Sequence, residues 1–217
     1  MKTRELVARL AADAGLVEPD RVTRRIGRAL LGGLAGSIAL LVALYGIRSD
    51  MPQVLLSAAF WIRLAFPLAF PLAIMVAAVQ LTERLGRPGA PTRLAWFAAA
   101  LPLAVMALTG IGLLLATPPG YRLQLMLADC WPLAVGNLVL LSLPPLAAAM
   151  HALKGLAPTR LALAGAGAGL LAGAQGLLVD SLYGADGALS LWGLAYALAI
   201  GLTSALGAAL APRYLRW

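Results

Sequence analysis

Residues 157–180 read APTRLALAGAGAGLLAGAQGLLVD, and the fold class follows from this stretch. Beyond Arg160 it carries no charge until Asp180. A membrane-spanning helix needs about 20 mostly apolar residues, and this run supplies them. The run is continuously apolar rather than alternating, so it reads as a helix and not as a barrel strand. Gly165, Gly169 and Gly173 recur at four-residue spacing, with Gly167 and Gly176 beside them. Such a small-residue ridge lets helix backbones approach closely. Its partner is another helix of the same bundle or the same helix of a second copy, the latter giving a homodimer.

Working outward, five more apolar runs of similar length appear at about 26–47, 61–81, 94–116, 132–153 and 189–211, beside the one at 160–180. The chain of 217 residues is 61% apolar and 12% charged, with mean hydropathy +0.87. Soluble domains carry about 25% charged residues. The expected fold is therefore all-α: a polytopic integral membrane protein with six transmembrane helices. The entry sequence of the fifth span has a double. Ala90-Pro91-Thr92-Arg93-Leu94-Ala95 matches Ala157-Pro158-Thr159-Arg160-Leu161-Ala162, and Val22-Thr23-Arg24 is a fainter copy. In the two full copies proline ends the incoming loop, and in each copy threonine is expected to cap the helix and arginine to snorkel to the interface. Each copy opens an odd-numbered span, so the chain divides into three helical hairpins. Pro67, Pro71, Pro102, Pro132, Pro144 and Pro145 fall in spans two to four. The Pro144-Pro145 pair is expected to kink span four.

Charge sets the expected orientation. Of the 17 lysines and arginines, only Arg48, Arg63 and Arg122 fall on the side opposite the N-terminus. Cytoplasmic loops are the ones that collect Lys and Arg, so both termini are expected in the cytoplasm, in a bacterial inner membrane. The net charge of +8 is then topology. Anionic lipids of the inner leaflet account for a basic rim, and no direct nucleic-acid binding is expected. The domains are a cytoplasmic tail over residues 1–25, the membrane domain over 26–211 and a short cytoplasmic end over 212–217. In the tail, Thr3 caps a short helix to about Ala14 with Gly15 as its stop, and Leu6, Val7 and Leu10 share one face. The first 25 residues contain no apolar signal core, so the first span is expected to serve as an uncleaved signal-anchor. Thr23 is expected to cap that span.

Chemistry-bearing residues are scarce. The sequence has one histidine, His151, and one cysteine, Cys130. His151 falls near the inner end of span four and Cys130 near the outer end, about a bilayer apart. No metal set, phosphate loop or nucleophile pair emerges, and neither enzymatic activity nor a cofactor is expected. Transporters place polar or ionisable groups at mid-membrane. Here Asn137 and Gln175 are uncharged, Asp180 and Arg63 lie near the outer edge, and no carboxylate sits at a span centre. Asn137 and Gln175 read better as inter-helical hydrogen bonds than as substrate ligands. Cys130 faces outside, where a lone thiol can pair between chains, react with oxidants or soft metals, or remain inert.

The layout and several motifs resemble the NrsF family (negative regulator of sigma F), six-span bacterial anti-sigma factors of extracytoplasmic-function sigma factors. The matching pieces are Met1-Lys2-Thr3-Arg4-Glu5-Leu6 with Ala11-Ala12-Asp13, Cys130-Trp131, Leu143-Pro144-Pro145-Leu146, Ala157-Pro158-Thr159-Arg160 and the closing Pro212-Arg213-Tyr214-Leu215-Arg216-Trp217. The resemblance covers almost the whole chain. It implies a protein that holds a sigma factor at the membrane and releases it on an envelope signal. On that reading Leu6, Val7 and Leu10 form the face that docks the sigma factor, as a helix laid in a groove. The alternative for the same face is a helix lying on the membrane surface. Cys130 is the candidate signal sensor. Family members typically carry a second outer cysteine between spans five and six, and this chain has Asp180-Ser181-Leu182-Tyr183-Gly184-Ala185-Asp186 there. A disulfide sensor within one chain is thereby excluded. The alternative function is a small-molecule transporter or permease subunit.

Overall fold

The computed structural model describes residues 21–46, 56, 58–85, 92–122, 131–156, 158, 160–183 and 192–216. Its seven main helices are α1 (Arg21–Tyr45), α2 (Ala58–Leu85), α3 (Arg93–Ala116), α4 (Trp131–Leu141), α5 (Leu143–Lys154), α6 (Leu161–Tyr183) and α7 (Trp192–Tyr214). With α4 and α5 counted as halves of one span, six helices are long and apolar enough to cross a membrane. Each overlaps one of the six runs read from the sequence.

The fifth span is the centre of the bundle. In α6, 78% of the apolar stretch is buried, against 18–39% for the other five spans. Helices α7, α2, α5, α1 and α4 all pack on it. The glycines of α6 explain this, because they face three ways. A Cβ at Gly165 or Gly169 would strike the backbone of Gly207 or of Thr203 and Ser204 in α7. One at Gly167 would touch Leu85, Thr82 and Leu81 of α2, the nearest atom at 3.3 Å. One at Gly176 would collide with the Ser142 hydroxyl between α4 and α5. In lipid no hydrophobic force draws one helix to another, so close packing of this kind does the work. The Gly165-Gly169-Gly173 ridge thus meets α7 of the same chain, and any pairing of two chains would use another face.

Side chains that find no place inside are apolar as well. Leu94, Phe97, Leu101, Leu108 and Leu115 of α3 are exposed, as are Leu198, Leu202, Leu206 and Leu210 of α7. Exposed apolar surface on this scale suits hydrocarbon and would be a liability in water.

Contacts near the helix ends fix which ends lie together. The Lys154 ammonium sits 5.0 Å over the Tyr214 ring, joining the ends of α5 and α7. The Arg25 guanidinium, near the start of α1, lies against Gly155. Leu85 at the end of α2 meets Gly167 near the start of α6. Gly110 in the second half of α3 abuts Leu194 near the start of α7. Every described lysine and arginine except Arg63 and Arg122 therefore falls at one end of the bundle, called here the basic end. At the opposite end Tyr45 and Tyr183 stack with centroids 5.6 Å apart. There α1 closes with Gly46 in the left-handed region (φ +74°), its N–H donating to the Val42 carbonyl at 2.9 Å. A glycine at this position satisfies an end carbonyl without a Cβ penalty.

Two capping expectations need correction. Helix α1 already includes Arg21 and Val22, so Thr23 lies inside it and does not cap it. Neither Arg21 nor Val22 breaks a helix, and nothing there forces the start to wait for the threonine. At α3 the expectation fits, since the Thr92 carbonyl accepts the first bond, from Trp96 N–H at 3.0 Å. At α6 that place is taken by Arg160, whose carbonyl accepts from Ala164 N–H at 2.9 Å. Thr159 lies outside the described residues.

Candidate functional site

The feature that sets this bundle apart is the interruption of its fourth span. Pro144 and Pro145 cannot donate the N–H bonds that a continuous helix would send to Leu140 and Leu141. The chain answers by ending α4 at Leu141 and starting α5 at Leu143, which places both prolines in the first turn of a new helix. There the missing donors are not needed. Ser142 between the halves keeps helical angles (φ −82°, ψ −11°). Its N–H still reaches the Leu138 carbonyl at 3.0 Å, and its carbonyl still accepts from Leu146 N–H at 3.0 Å.

The freed Leu141 carbonyl is buried, and a buried acceptor without a partner is costly. Ser37 of α1 supplies the partner, its hydroxyl donating to that oxygen at 2.7 Å. Helix α1 is shaped to bring Ser37 this close. A Cβ on Gly33 would come within 2.8 Å of the Pro145 Cα and 2.9 Å of the Gln175 amide oxygen, and one on Gly36 within 2.8 Å of the Pro144 Cβ. On the other side Gln175 of α6 donates from Nε2 to the Leu30 carbonyl of α1 at 2.7 Å. The proline break, α1 and α6 thus form one interlocked unit near the middle of the bundle.

A second polar group lies toward the opposite end. Helix α6 continues to Tyr183, so Asp180 stands a turn inside its end and is half-buried. One carboxylate oxygen accepts from Asn137 Nδ2 of α4 at 3.3 Å, the other from the Tyr196 hydroxyl of α7 at 2.9 Å. The group ties the half-helix that follows Cys130 in sequence to the central helix and to α7. Asn137 and Gln175 are engaged in inter-helical hydrogen bonds, as their sequence context suggested. Tyr196 was not singled out from sequence. A tyrosine in an apolar run gives no sign of its partner 16 residues earlier.

At the basic end, α1 and α5 line an open cavity of about 770 Å³ whose walls include Arg24, Arg25, Arg28 and His151. His151 is exposed here and stands beside arginines. Among the described residues no group of three histidine, cysteine or acidic side chains could hold a metal ion. Leu6, Val7, Leu10 and Cys130 lie outside the described residues. Cys130 directly precedes Trp131, the first residue of α4.

Six spanning helices, a basic end and polar groups spent on helix-to-helix bonds define an integral membrane protein without a catalytic constellation among its described residues. The chain belongs to the NrsF family, negative regulator of sigma F, which it matches over residues 10–217. It is 36% identical over 219 residues to the probable anti-sigma-F factor NrsF of Azospira oryzae, with the whole of both chains covered. It is 34% identical over 226 residues to the anti-sigma-F factor NrsF of Caulobacter vibrioides, again over the whole of both. No solved structure matches. The family is one of non-enzymatic regulators of transcription, in line with a sequence that offered no catalytic set.

Proposed function

We propose that this protein is a membrane-embedded anti-sigma factor. It holds a sigma factor of the extracytoplasmic-function class through its tail and releases it on an envelope signal. The observation that carries this reading is the family match along residues 10–217, the span that includes the whole bundle. The basic end supports an orientation with both termini in the cytoplasm, because cytoplasmic segments collect Lys and Arg. The tail then emerges from the start of α1 on the side where a sigma factor resides. Leu6, Val7 and Leu10 are the proposed docking face.

Release requires that an outside event change the tail's affinity for its partner. A switch from 1:99 to 99:1 needs about 5.5 kcal/mol of differential binding, more than one altered thiol contact supplies. A bistable bundle can supply it. In the proposed relay, Cys130 acts on α4, the proline break passes the motion to α5, and the Ser37 and Gly33 contacts pass it to α1 and the tail. A transporter reading loses its support, since Asn137 and Gln175 are occupied by Asp180 and the Leu30 carbonyl.

The test is a pull-down from detergent-solubilised membranes, comparing the full chain with one lacking residues 1–20. The expected result is a sigma factor recovered with the full chain and lost with the shortened one. Recovery with both would move the docking face away from Leu6, Val7 and Leu10. Recovery with neither, from well-folded protein, would overturn the proposal.

A further inference from the structure

The cavity at the basic end is not used by the relay just described, and its chemistry points to a ligand. Its rim carries three cations, Arg24, Arg25 and Arg28 from the first turns of α1, with the His151 imidazole of α5 beside them. Its remaining lining is apolar: Ala29, Ala148, Ala152 and Leu156, with Gly155 between. Among the described residues no carboxylate contributes to the lining. Three arginines grouped with no acidic side chain among the described residues repel one another, and an anion drawn from outside relieves that repulsion. Arginine suits phosphate best, through paired N–H donors in one plane. Gly155 makes the arrangement feasible. A Cβ there would overlap the Arg25 guanidinium, so only glycine lets that group lie against the α5 backbone.

The volume of about 770 Å³ is within the range of ligand sites, about 300–1,000 Å³. Its place decides among anions. The arginines sit where α1 enters the spanning region, and Ala148 and Ala152 belong to the spanning half-helix α5. An occupant that meets both walls needs a phosphate above and an apolar body below. We propose that this cavity binds one anionic phospholipid, its phosphate held by Arg25 and Arg28 and its glycerol and first methylenes resting on Ala29, Ala148 and Ala152. Basic pockets between spanning helices are suited to such headgroups. The inference rests on the membrane reading alone and holds whether or not the tail binds a sigma factor.

The test uses the purified full chain in a neutral detergent, with the unfolding midpoint followed as lipid is added. Phosphatidylglycerol is expected to raise the midpoint saturably, with phosphatidylcholine and inorganic phosphate giving little change. The double variant Arg25→Gln with Arg28→Gln should weaken the phosphatidylglycerol effect about tenfold or more. Gly155→Ala removes no charge but displaces Arg25, and should weaken it too. Because the overlap falls on the mobile end of a side chain, this variant is expected to fold. Arg93→Gln with Arg213→Gln, which alters the same end outside the cavity, should leave the effect intact. An equal loss in that control pair would reduce the site to general surface charge and overturn the proposal. So would a response to phosphatidylcholine matching that to phosphatidylglycerol, or a response to inorganic phosphate of the same affinity. If Arg25→Gln with Arg28→Gln abolished sigma-factor recovery and left the phosphatidylglycerol response unchanged, the cavity would belong to the protein partner and the lipid assignment would fall.

Discussion

Single atoms decide the packing at the centre of this bundle. Gly169 has the Thr203 carbonyl and the Ser204 Cα where a Cβ would have to go. Backbone cannot step aside as a side-chain tip can. Gly169→Ala is therefore expected to destabilise the protein by about 1–3 kcal/mol, the usual range for overpacking. Gly201→Ala, on α7 with open space around it, should leave stability unchanged. Unfolding by graded sodium dodecyl sulfate in mixed micelles measures both, and equal midpoints for the two variants would contradict the close contact of α6 with α7. Ser37→Ala tests a different effect. It leaves the Leu141 carbonyl without its donor, and hydrogen bonds between spanning helices are worth about 0.6 kcal/mol on average and up to about 1.7. A loss near 1 kcal/mol in the same assay is expected. No loss would mean that another donor serves that carbonyl.

Elements were largely legible from the sequence, while their neighbours were not. Six continuous apolar runs can hardly be anything but spanning helices, and all six appear within a few residues of their expected bounds. The Pro144-Pro145 pair announced a break, because proline removes donors wherever it sits. What fills the gap was hidden. Ser37 is one small polar residue in a run of leucines and alanines, more than 100 positions from the carbonyl it serves. The glycine ridge was visible, but its target was not, since Gly207 is recognisable as a partner only once α7 lies beside it. The proposed docking face and sensor, Leu6, Val7, Leu10 and Cys130, rest on sequence and family. At this scale the break itself can be tested. Pro144→Ala with Pro145→Ala returns backbone donors to Leu140 and Leu141 and sets the second in competition with Ser37. Signal-dependent release, read from a sigma-dependent reporter, is expected to fall several-fold while the protein still inserts and still holds its partner. Cys130→Ser should produce the same phenotype. Unchanged release in Cys130→Ser would remove the thiol from the relay, and unchanged release in the proline variant would remove the hinge.

For the whole molecule the asymmetry of charge is the governing feature. With only Arg63 and Arg122 of the described basic residues at the far end, the orientation expected is the one with the basic end in the cytoplasm. Alkaline phosphatase joined after residue 217 is expected to be inactive, and green fluorescent protein joined there to fluoresce. The reverse pair of results would invert the molecule and move the docking tail to the wrong side of the membrane for a sigma factor. The central position of α6 has a separate consequence, for biogenesis. The helix on which four of the other five spans pack is the fifth of six to leave the ribosome. Until it arrives, α1, α2 and the two halves of span four have no common surface to close upon. Spans one and four can already pair through Ser37 and the Leu141 carbonyl, but the faces of α1, α2 and span four that pack on α6 must wait in the bilayer uncovered. The last packing step then comes late, and a chain cut short before residue 161 is a natural substrate for membrane quality control.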